Sequence, residues 1–207
     1  MKKVINLIIV DESGSMSVIH QQAFAGMNET LSTIRKMQEQ HPDLEQRVSL
    51  LTFDSTHKSY KYDNVAAKDT RDLSPKDYNP CGATPLYDAM GLSISKLNAM
   101  VESDDKVLVT VITDGEENCS TEWTLKMIRT LIEKLKKENW TFTLIGTDNL
   151  DVEGMARSMA IDEHLEFQED AEGTRMMFER ESRARSRYMC RVAACEEAPT
   201  GSFFSES

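Results

Sequence analysis

The sequence contains little cysteine, with four residues in a chain of 207. They form no CxxC pair, and no histidine stands beside them at the spacing of zinc ligands. This pattern excludes a zinc-ribbon type of metal site and a small scaffold held by disulfides. We expect reduced thiols in a cytoplasmic protein. The four residues are Cys81, Cys119, Cys190 and Cys195.

Long hydrophobic runs are also missing. The run from Val4 to Val10 is seven residues long, is interrupted by Asn6 and ends at Asp11. It follows Met1-Lys2-Lys3 but lacks the small-residue cleavage site of a signal peptide, so we interpret it as a strand. No segment approaches the roughly 20 apolar residues of a membrane span. We therefore expect no membrane association and a cytoplasmic location.

The chain has no excess of basic residues. Lysine and arginine number 24 against 35 acidic residues, which gives a formal net charge of −11. Binding to phosphate backbones or anionic lipids needs a dominant basic face, so we expect no nucleic-acid partner. A metal ion or a cationic partner suits this charge better.

Short apolar runs alternate along the chain with amphipathic stretches of helical length. The runs are continuous and rich in β-branched residues, which is typical of strands covered on both faces. They occupy residues 3–10, 47–53, 106–113, 140–147 and 164–168. Apolar residues at three- and four-residue spacing predict helices between them. These helices are expected over residues 17–40, 85–101, 121–138 and 151–159.

This alternation predicts a doubly wound α/β fold, with a mostly parallel sheet of about six strands and helices on both faces. Residues 57–65 follow a strand after too few residues for a helix, so they should form an antiparallel edge strand. The length predicts one domain over residues 1–169. A helix over residues 170–195 should pack on this domain or extend from it, and residues 196–207 should form a disordered tail.

The last predicted helix is rich in arginine. A basic stripe near a helix C-terminus usually faces solvent and also suits the helix dipole, and we interpret it in this way. Docking of this stripe to an acidic partner is the alternative. The arginines concerned are Arg180, Arg183, Arg185, Arg187 and Arg191.

Oxygen-bearing side chains gather where predicted strands end. Asp11, Ser13 and Ser15 follow the first strand, Thr84 precedes a helix, and Asp114 follows the strand at 106–113. In open parallel sheets, ligands bind at the carboxyl ends of strands. Alternate residues of an extended turn point the same way, so D-x-S-x-S can direct three oxygens together. Two carboxylates and three hydroxyls suit a hard divalent cation such as Mg²⁺.

These three segments resemble the von Willebrand factor A domain family. "DESGSM" resembles the family's D-x-S-x-S signature, "GATPLYDA" its threonine loop, and "ITDGEEN" the strand end that carries its second aspartate. Together they correspond to the family's metal-ion-dependent adhesion site (MIDAS). The resemblance covers about residues 3–168, and the lack of secretion signals and disulfides is similar to bacterial, stand-alone cytoplasmic members.

The resemblance implies a role for each site residue. Ser13, Ser15 and Thr84 would touch the metal through their hydroxyls, while Asp11 and Asp114 would act directly or through water. In the family, the last coordination position is left for an acidic side chain of a partner protein. The ion would be Mg²⁺, with Mn²⁺ or Ca²⁺ as alternatives, and the module would not be an enzyme.

Other acidic residues are expected around this site. Glu12, Glu116 and Glu117 should form the rim that a partner meets, although solvation alone would explain surface acids. Asp88 follows Thr84 by four residues, and either orients the site or makes local hydrogen bonds. The four histidines are scattered, and we assign them no role.

Three alternative explanations remain open. Capping and turn chemistry would account for each site residue singly, although not for their common position at strand ends. A metal-dependent phosphohydrolase also places aspartates at strand ends, but it needs a second acid where this chain has Ser13. Alternatively, the same fold could bind its partner through another surface, such as the arginine-rich last helix.

Overall fold

The computed structural model describes residues 2–194 and 203–204. Six strands form one sheet in the order β3-β2-β1-β4-β5-β6, in which only β3 runs antiparallel to its neighbour. The strands are β1 (Lys2–Asp11), β2 (Leu44–Phe53), β3 (Lys58–Ala66), β4 (Lys106–Thr113), β5 (Trp140–Thr147) and β6 (Glu163–Phe167). The predicted fold class and the antiparallel edge strand are confirmed.

Five α-helices cover the two faces of the sheet. They are α1 (His20–Gln40), α2 (Leu86–Asn98), α3 (Leu125–Leu135), α4 (Val152–Ser158) and α5 (Ala171–Ala193). Helices α1 and α5 pack on one face, where they bury Val4, Ile8 and Val10 of β1. Helices α2, α3 and α4 cover the other face, where β1 contributes Ile5, Leu7 and Ile9. The period-two alternation along β1 thus supplies both cores. No helix in the described residues is long and apolar enough to cross a membrane.

Two helices begin later than the sequence pattern indicates. Residues 14–19 form a 3-10 turn before α1, and α3 begins at Leu125 rather than near residue 121. In both places the preceding loop forms hydrogen bonds to other loops of the site. These bonds compete with the backbone hydrogen bonds that would extend the helix. Tertiary contacts therefore decide these helix starts more than local propensity does.

Helix α5 packs closely against α1 and the sheet. A Cβ atom added to Gly26 of α1 would lie 2.0 Å from the ring of Phe178, so glycine allows this close approach. Phe178, Met177, Ala184 and Met189 belong to the same core as β1. The helix therefore packs on the domain rather than extending from it.

Arg185 corrects the prediction that the arginines of this helix form a solvated stripe. Its side chain is fully buried beneath α5, although Arg180 and Arg183 are exposed. Its guanidinium forms an ion pair with Glu181 one turn earlier. It also donates to Asn6 Oδ1 at 2.7 Å and to Thr110 Oγ1 at 2.8 Å. Strands β1 and β4 therefore receive a charged group from α5 in the middle of the apolar core.

The tail prediction concerns residues 196–207, most of which lie outside the described residues. Of these, Phe203 and Phe204 are described, and both are buried. For these two residues the expectation of disorder is wrong.

We expect Arg185→Met to lower the free energy of unfolding by about 3–5 kcal/mol, because it leaves the buried carboxylate of Glu181 without a compensating charge. The double variant Arg185→Met/Glu181→Leu should regain most of this loss, since neither charge remains. Arg183→Met, at an exposed position on the same helix, is the matched control and should change stability by less than about 0.5 kcal/mol. Urea unfolding measures all three, and equal losses for the Arg185 and Arg183 variants would contradict the assignment.

Candidate functional site

Parallel pairing of β1 with β4 brings the two predicted aspartates together. Val10 pairs with Ile112, so Asp11 lies beside Thr113 and Asp114 follows immediately. The Thr113 hydroxyl donates to Asp11 Oδ2 at 2.6 Å. Both aspartates are buried, with exposures of 0% and 4%. The carboxyl ends of the central strands thus supply the two acids expected of the site.

The serines join these carboxylates from the loop after β1. The backbone N–H of Ser13 donates to Asp11 Oδ1 at 2.7 Å, which turns the chain sharply. The hydroxyls of Ser13 and Ser15 lie 3.2 Å apart, and Ser15 Oγ donates to Asp114 Oδ1 at 2.7 Å. Because the hydroxyl hydrogen of Ser15 points to Asp114, Ser13 is the donor in the bond between the two serines. One lone pair of Ser15 then remains for a cation.

Thr84 approaches the same point from the loop before α2. A Cβ atom placed on Gly115 would lie 3.1 Å from Thr84 Oγ1 and 3.9 Å from Asp11 Oδ2. These two oxygens therefore lie on one side of Gly115, within 4 Å of a single point. A side chain at position 115 would crowd the Thr84 hydroxyl and lie in van der Waals contact with Asp11, so glycine keeps this space open.

Backbone hydrogen bonds connect the three loops to one another. The N–H of Gly14 donates to the carbonyl of Gly82 at 3.1 Å. The N–H of Thr84 donates to Asn118 Oδ1 at 2.9 Å, and the N–H of Asn118 donates to the Thr84 carbonyl at 3.2 Å. The position of each oxygen therefore depends on all three loops.

Asp88 organises the loop that follows Asp114. Its carboxylate accepts the backbone N–H groups of Thr121, Glu122 and Trp123 at 3.0, 3.0 and 2.8 Å. These bonds span 33 to 35 residues of sequence, so the expectation of local hydrogen bonding is wrong and Asp88 instead holds the loop that follows Asp114. This clamp contributes to the late start of α3.

The predicted rim is only partly found at the surface. Glu116 is exposed, as expected. Glu12 is 1% exposed and accepts the N–H of Asn79, so it points inward. Glu117 accepts the N–H groups of Tyr87, Cys119 and Ser120, so it serves the loop. Glu12 and Glu117 are therefore not part of the rim, because backbone N–H groups of the loops bind their carboxylates. The composition of the sequence does not reveal these hydrogen bonds.

Sequence reasoning missed a second group of polar residues beside the site. Asp54, at the end of β2, is fully buried and accepts the Cys81 thiol at 3.2 Å. His57 Nδ1 lies 2.9 Å from Asp54 Oδ2, and its Nε2 lies 3.5 Å from Glu12 Oε2. This group joins the β2–β3 turn to the loop that carries Thr84. The strand-end position of Asp54 was the available signal.

The described thiols are free. Cys81, Cys119 and Cys190 form no disulfide, and Cys195 lies outside the described residues. The hydrogen bond to Asp54 raises the pKa of the Cys81 thiol, because it stabilises the protonated form.

The charged forms of Asp11 and Asp114 are electrostatically unfavourable in the folded chain. Burial raises the pKa of Asp114 to about 6, and repulsion from Asp11 and Glu169 adds to the effect, while the Ser15 hydrogen bond opposes it. Burial likewise raises the pKa of Asp11, against hydrogen bonds from Thr113 and Ser13. Within the described residues, neither carboxylate forms an ion pair with lysine, arginine or histidine. A cation bound between them would relieve this cost.

The donor set fits a hard divalent ion. Asp114 Oδ2 is buried and has no hydrogen-bond partner among the described residues, so one carboxylate oxygen is available for coordination. The remaining donors are hydroxyl and carboxylate oxygens, which Mg²⁺ prefers. The described part of the chain contains no group of three or more His, Cys, Asp or Glu side chains arranged for a metal. A metal here would therefore depend on the hydroxyls of Ser13, Ser15 and Thr84.

Comparison with known protein families gives a match over most of the chain. The family model of the von Willebrand factor type A domain matches residues 7–180. A sequence comparison with curated proteins gives no match.

Three solved structures illustrate the shared fold. Proximal thread matrix protein 1 (PTMP1) from the mussel byssus, with a zinc-occupied MIDAS motif, is 15% identical with a TM-score of 0.57, and the match covers 86% of this chain and 46% of that one. The pilus adhesin SpaC from Lactobacillus rhamnosus GG is 13% identical with a TM-score of 0.68, and the match covers 91% of this chain and 30% of SpaC. The vWF domain of the type V pili tip protein Mfa5 from Porphyromonas gingivalis is 10% identical with a TM-score of 0.65. That match covers 96% of this chain and 98% of the Mfa5 domain.

These identities are low enough that the likeness shows the fold alone. The present chain spans less than half of PTMP1 and less than a third of SpaC. The activity of those whole proteins is therefore not transferred to it.

The raised pKa of Asp114 gives a test in the absence of metal. The folded-state pKa of about 6 lies above the unfolded value near 3.9, so stability falls as pH rises from about 4 to 6. In EDTA at pH 7.5, we expect Asp114→Asn to be more stable than the wild type by on the order of 2–3 kcal/mol. The difference should shrink towards zero near pH 4, where the wild-type carboxyl is protonated.

Urea unfolding of both proteins across this pH range measures the difference. A variant that is no more stable than the wild type at pH 7.5, or a gain that grows towards pH 4, would contradict the stated charge cost. Exposed Asp104→Asn serves as the control and should show no such pH-dependent gain.

Proposed function

Since the chain belongs to the von Willebrand factor type A family, we propose that it is a protein-interaction module that binds a partner carboxylate through a divalent cation. The cation would be held by Asp11, Ser13, Ser15, Thr84 and Asp114. One observation carries this proposal: oxygens from three loops converge around two buried carboxylates that form no ion pair within the described residues.

Mg²⁺ is the ion that we propose, with Mn²⁺ or Ca²⁺ as alternatives. All the donors are oxygens, whereas structural and catalytic zinc sites in proteins use nitrogen and sulfur extensively. The zinc-occupied MIDAS motif of PTMP1 supports a divalent ion at this position of the fold.

A partner carboxylate would meet the ion at the open side of the loops. Ser15, Glu116 and Asn118 are exposed there, and Val18 of the adjoining 3-10 turn is 67% exposed. The hydroxyl donors are neutral, so a divalent ion keeps positive charge that attracts an acid from outside. Exposed Glu116 would repel that acid, so the rim would favour partners whose carboxylate is accompanied by a positive charge.

We propose no catalytic role for this site. A phosphohydrolase would need an acid at position 13 and a lysine poised over the phosphate. Position 13 is serine, and no lysine within the described residues forms an ion pair with Asp11 or Asp114. Turnover of an aryl phosphate that depends on metal and is lost in Asp11→Ala would favour the enzyme instead.

The bacterial, stand-alone cytoplasmic assignment remains a prediction. SpaC and Mfa5 are described as a pilus adhesin and a pili tip protein, so relatives of this fold also work outside the cell. Cell fractionation would decide between the two locations.

Metal binding can be measured directly by its effect on stability. Mg²⁺ at about 100-fold its dissociation constant should stabilise the folded chain by about 2.7 kcal/mol. For a chain of this size, that corresponds to a rise of roughly 5–10 °C in Tm. Asp114→Ala should remove the rise, whereas Asp104→Ala, an exposed acid before β4, should keep it. No change in the wild-type Tm at millimolar Mg²⁺ would count against the site.

Partner binding is tested by recovering proteins from lysate on the immobilised chain. We expect the specific partners to be retained with Mg²⁺, released by EDTA, and absent from the Asp114→Ala and Thr84→Val columns. Asp104→Ala is again the matched control. Partners that bind equally in EDTA would favour the alternative, in which the fold binds through another surface such as the arginine-rich helix.

A further inference from the structure

Phe203 and Phe204, which follow the end of α5 by about ten residues, occupy a groove between β6 and α5. Their exposures are 7% and 3%, although neither residue lies in a helix or strand. They belong to the same hydrophobic core as Leu165 and Phe167 of β6 and Tyr188 of α5. Two adjacent aromatic residues outside the regular structure therefore cover one edge of the core.

The two rings have specific ring contacts. The ring of Phe203 is tilted against Tyr188, with centroids 6.0 Å apart. Phe204 meets Phe203 edge to face at 4.9 Å. Such geometries are favoured between aromatic rings and make the fit more selective than general apolar burial.

The main chain of the pair is also bound by side chains. The N–H of Phe203 donates to Glu163 Oε2 at 2.8 Å. The guanidinium of Arg180 donates to the Phe204 carbonyl at 3.5 Å. An acceptor at one end and a donor at the other are the means by which a groove fixes the direction of a peptide.

The groove extends beyond the two rings. Arg180, the donor to Phe204, also lines a cavity of about 490 Å³ together with Leu165, Phe167, Glu166 and the exposed Arg183. A second cavity of about 190 Å³ lies beside Phe203, and its lining includes Arg187 and Arg191. Arginines thus line both cavities, together with Glu166 in the first and Asp162 and Glu163 in the second. In the sequence, the pair is flanked by acids, with Glu196 and Glu197 before it and Glu206 after it.

We propose that this groove is a peptide-binding site for two adjacent aromatic residues with acidic residues nearby, and that its occupant is this chain's own segment around Phe203 and Phe204, bound reversibly. Arg180, which already donates to the Phe204 carbonyl, is the positive charge that we assign to recognition of this segment. An added peptide of the same sequence should compete for the groove. This site is separate from the loops that carry Asp11 and Asp114, so it does not depend on the proposed metal function.

The test uses the full chain carrying Phe203→Ala/Phe204→Ala and a fluorescein-labelled peptide of the sequence PTGSFFSES, which is that of residues 199–207. We expect saturable binding to this variant by fluorescence polarisation. Binding to the wild type should be at least about tenfold weaker, because the tethered segment competes at high effective concentration. The peptide PTGSAASES should not bind.

A further substitution tests the groove itself. Arg180→Gln, added to the double variant, should weaken peptide binding, whereas Arg129→Gln, on α3 at the opposite face, should leave it unchanged. Equal affinity for wild type and double variant would overturn the assignment of the groove, as would equal binding of the two peptides. If the double variant is folded by circular dichroism and shows no saturable binding, the proposal is wrong.

If the double variant does not fold, the single variant Phe204→Ala and the wild type replace it. Peptide carrying a fluorine-labelled phenylalanine is then followed by NMR, where exchange into the groove gives a second, broadened signal. The absence of any bound signal with either chain at excess peptide would show that the pair is a permanent part of the core, and would overturn the proposal.

Discussion

The parallel pairing of β1 with β4 is the constraint on which the site depends. It places Asp11 and Asp114 side by side at the carboxyl edge, where both are buried and where no protein cation pairs with them in the described residues. The neighbouring groups, Thr113 and Ser15, donate hydrogen bonds that reduce the charge cost without cancelling it. If a cation binds here as we propose, it would offset this charge cost, and the site would be one of those that trade stability for function.

The sequence predicts the sheet and the candidate site well because both follow from period and position. Continuous β-branched runs such as residues 106–113 mark strands covered on both faces, and parallel strands deliver their following residues to one edge. Asp11, Ser13, Ser15 and Asp114, which follow β1 and β4, could therefore be placed together from the sequence. Thr84 precedes α2, and its assignment rested on the family resemblance of its loop. The periodicity of apolar residues does not predict how a side chain is oriented within a loop. Glu12 turned inward because Asn79 offers it a backbone donor, and no local pattern reports that.

The last helix shows the same limit more clearly. Five arginines between positions 180 and 191 indicate a solvated face, yet Arg185 is enclosed by α5 and the sheet. The available signal lay elsewhere in the chain, in Asn6 and Thr110, two polar residues within strands that are otherwise apolar. Likewise, Phe203 and Phe204 have no periodicity of their own, and their partners Glu163 and Tyr188 lie in distant segments. Contacts between distant segments decide both cases, and composition alone misjudges them.

The ion pair beneath α5 also restricts how this sequence can diverge. Exchanging either Arg185 or Glu181 alone would strand a charge in the core, at a cost comparable to a large part of the 5–15 kcal/mol that holds a typical domain together. Single substitutions at these two positions are therefore too destabilising to persist. A lineage that loses the ion pair must replace both residues at almost the same time. Relatives of this chain should accordingly carry either both charges or two apolar residues at these positions, with few intermediates.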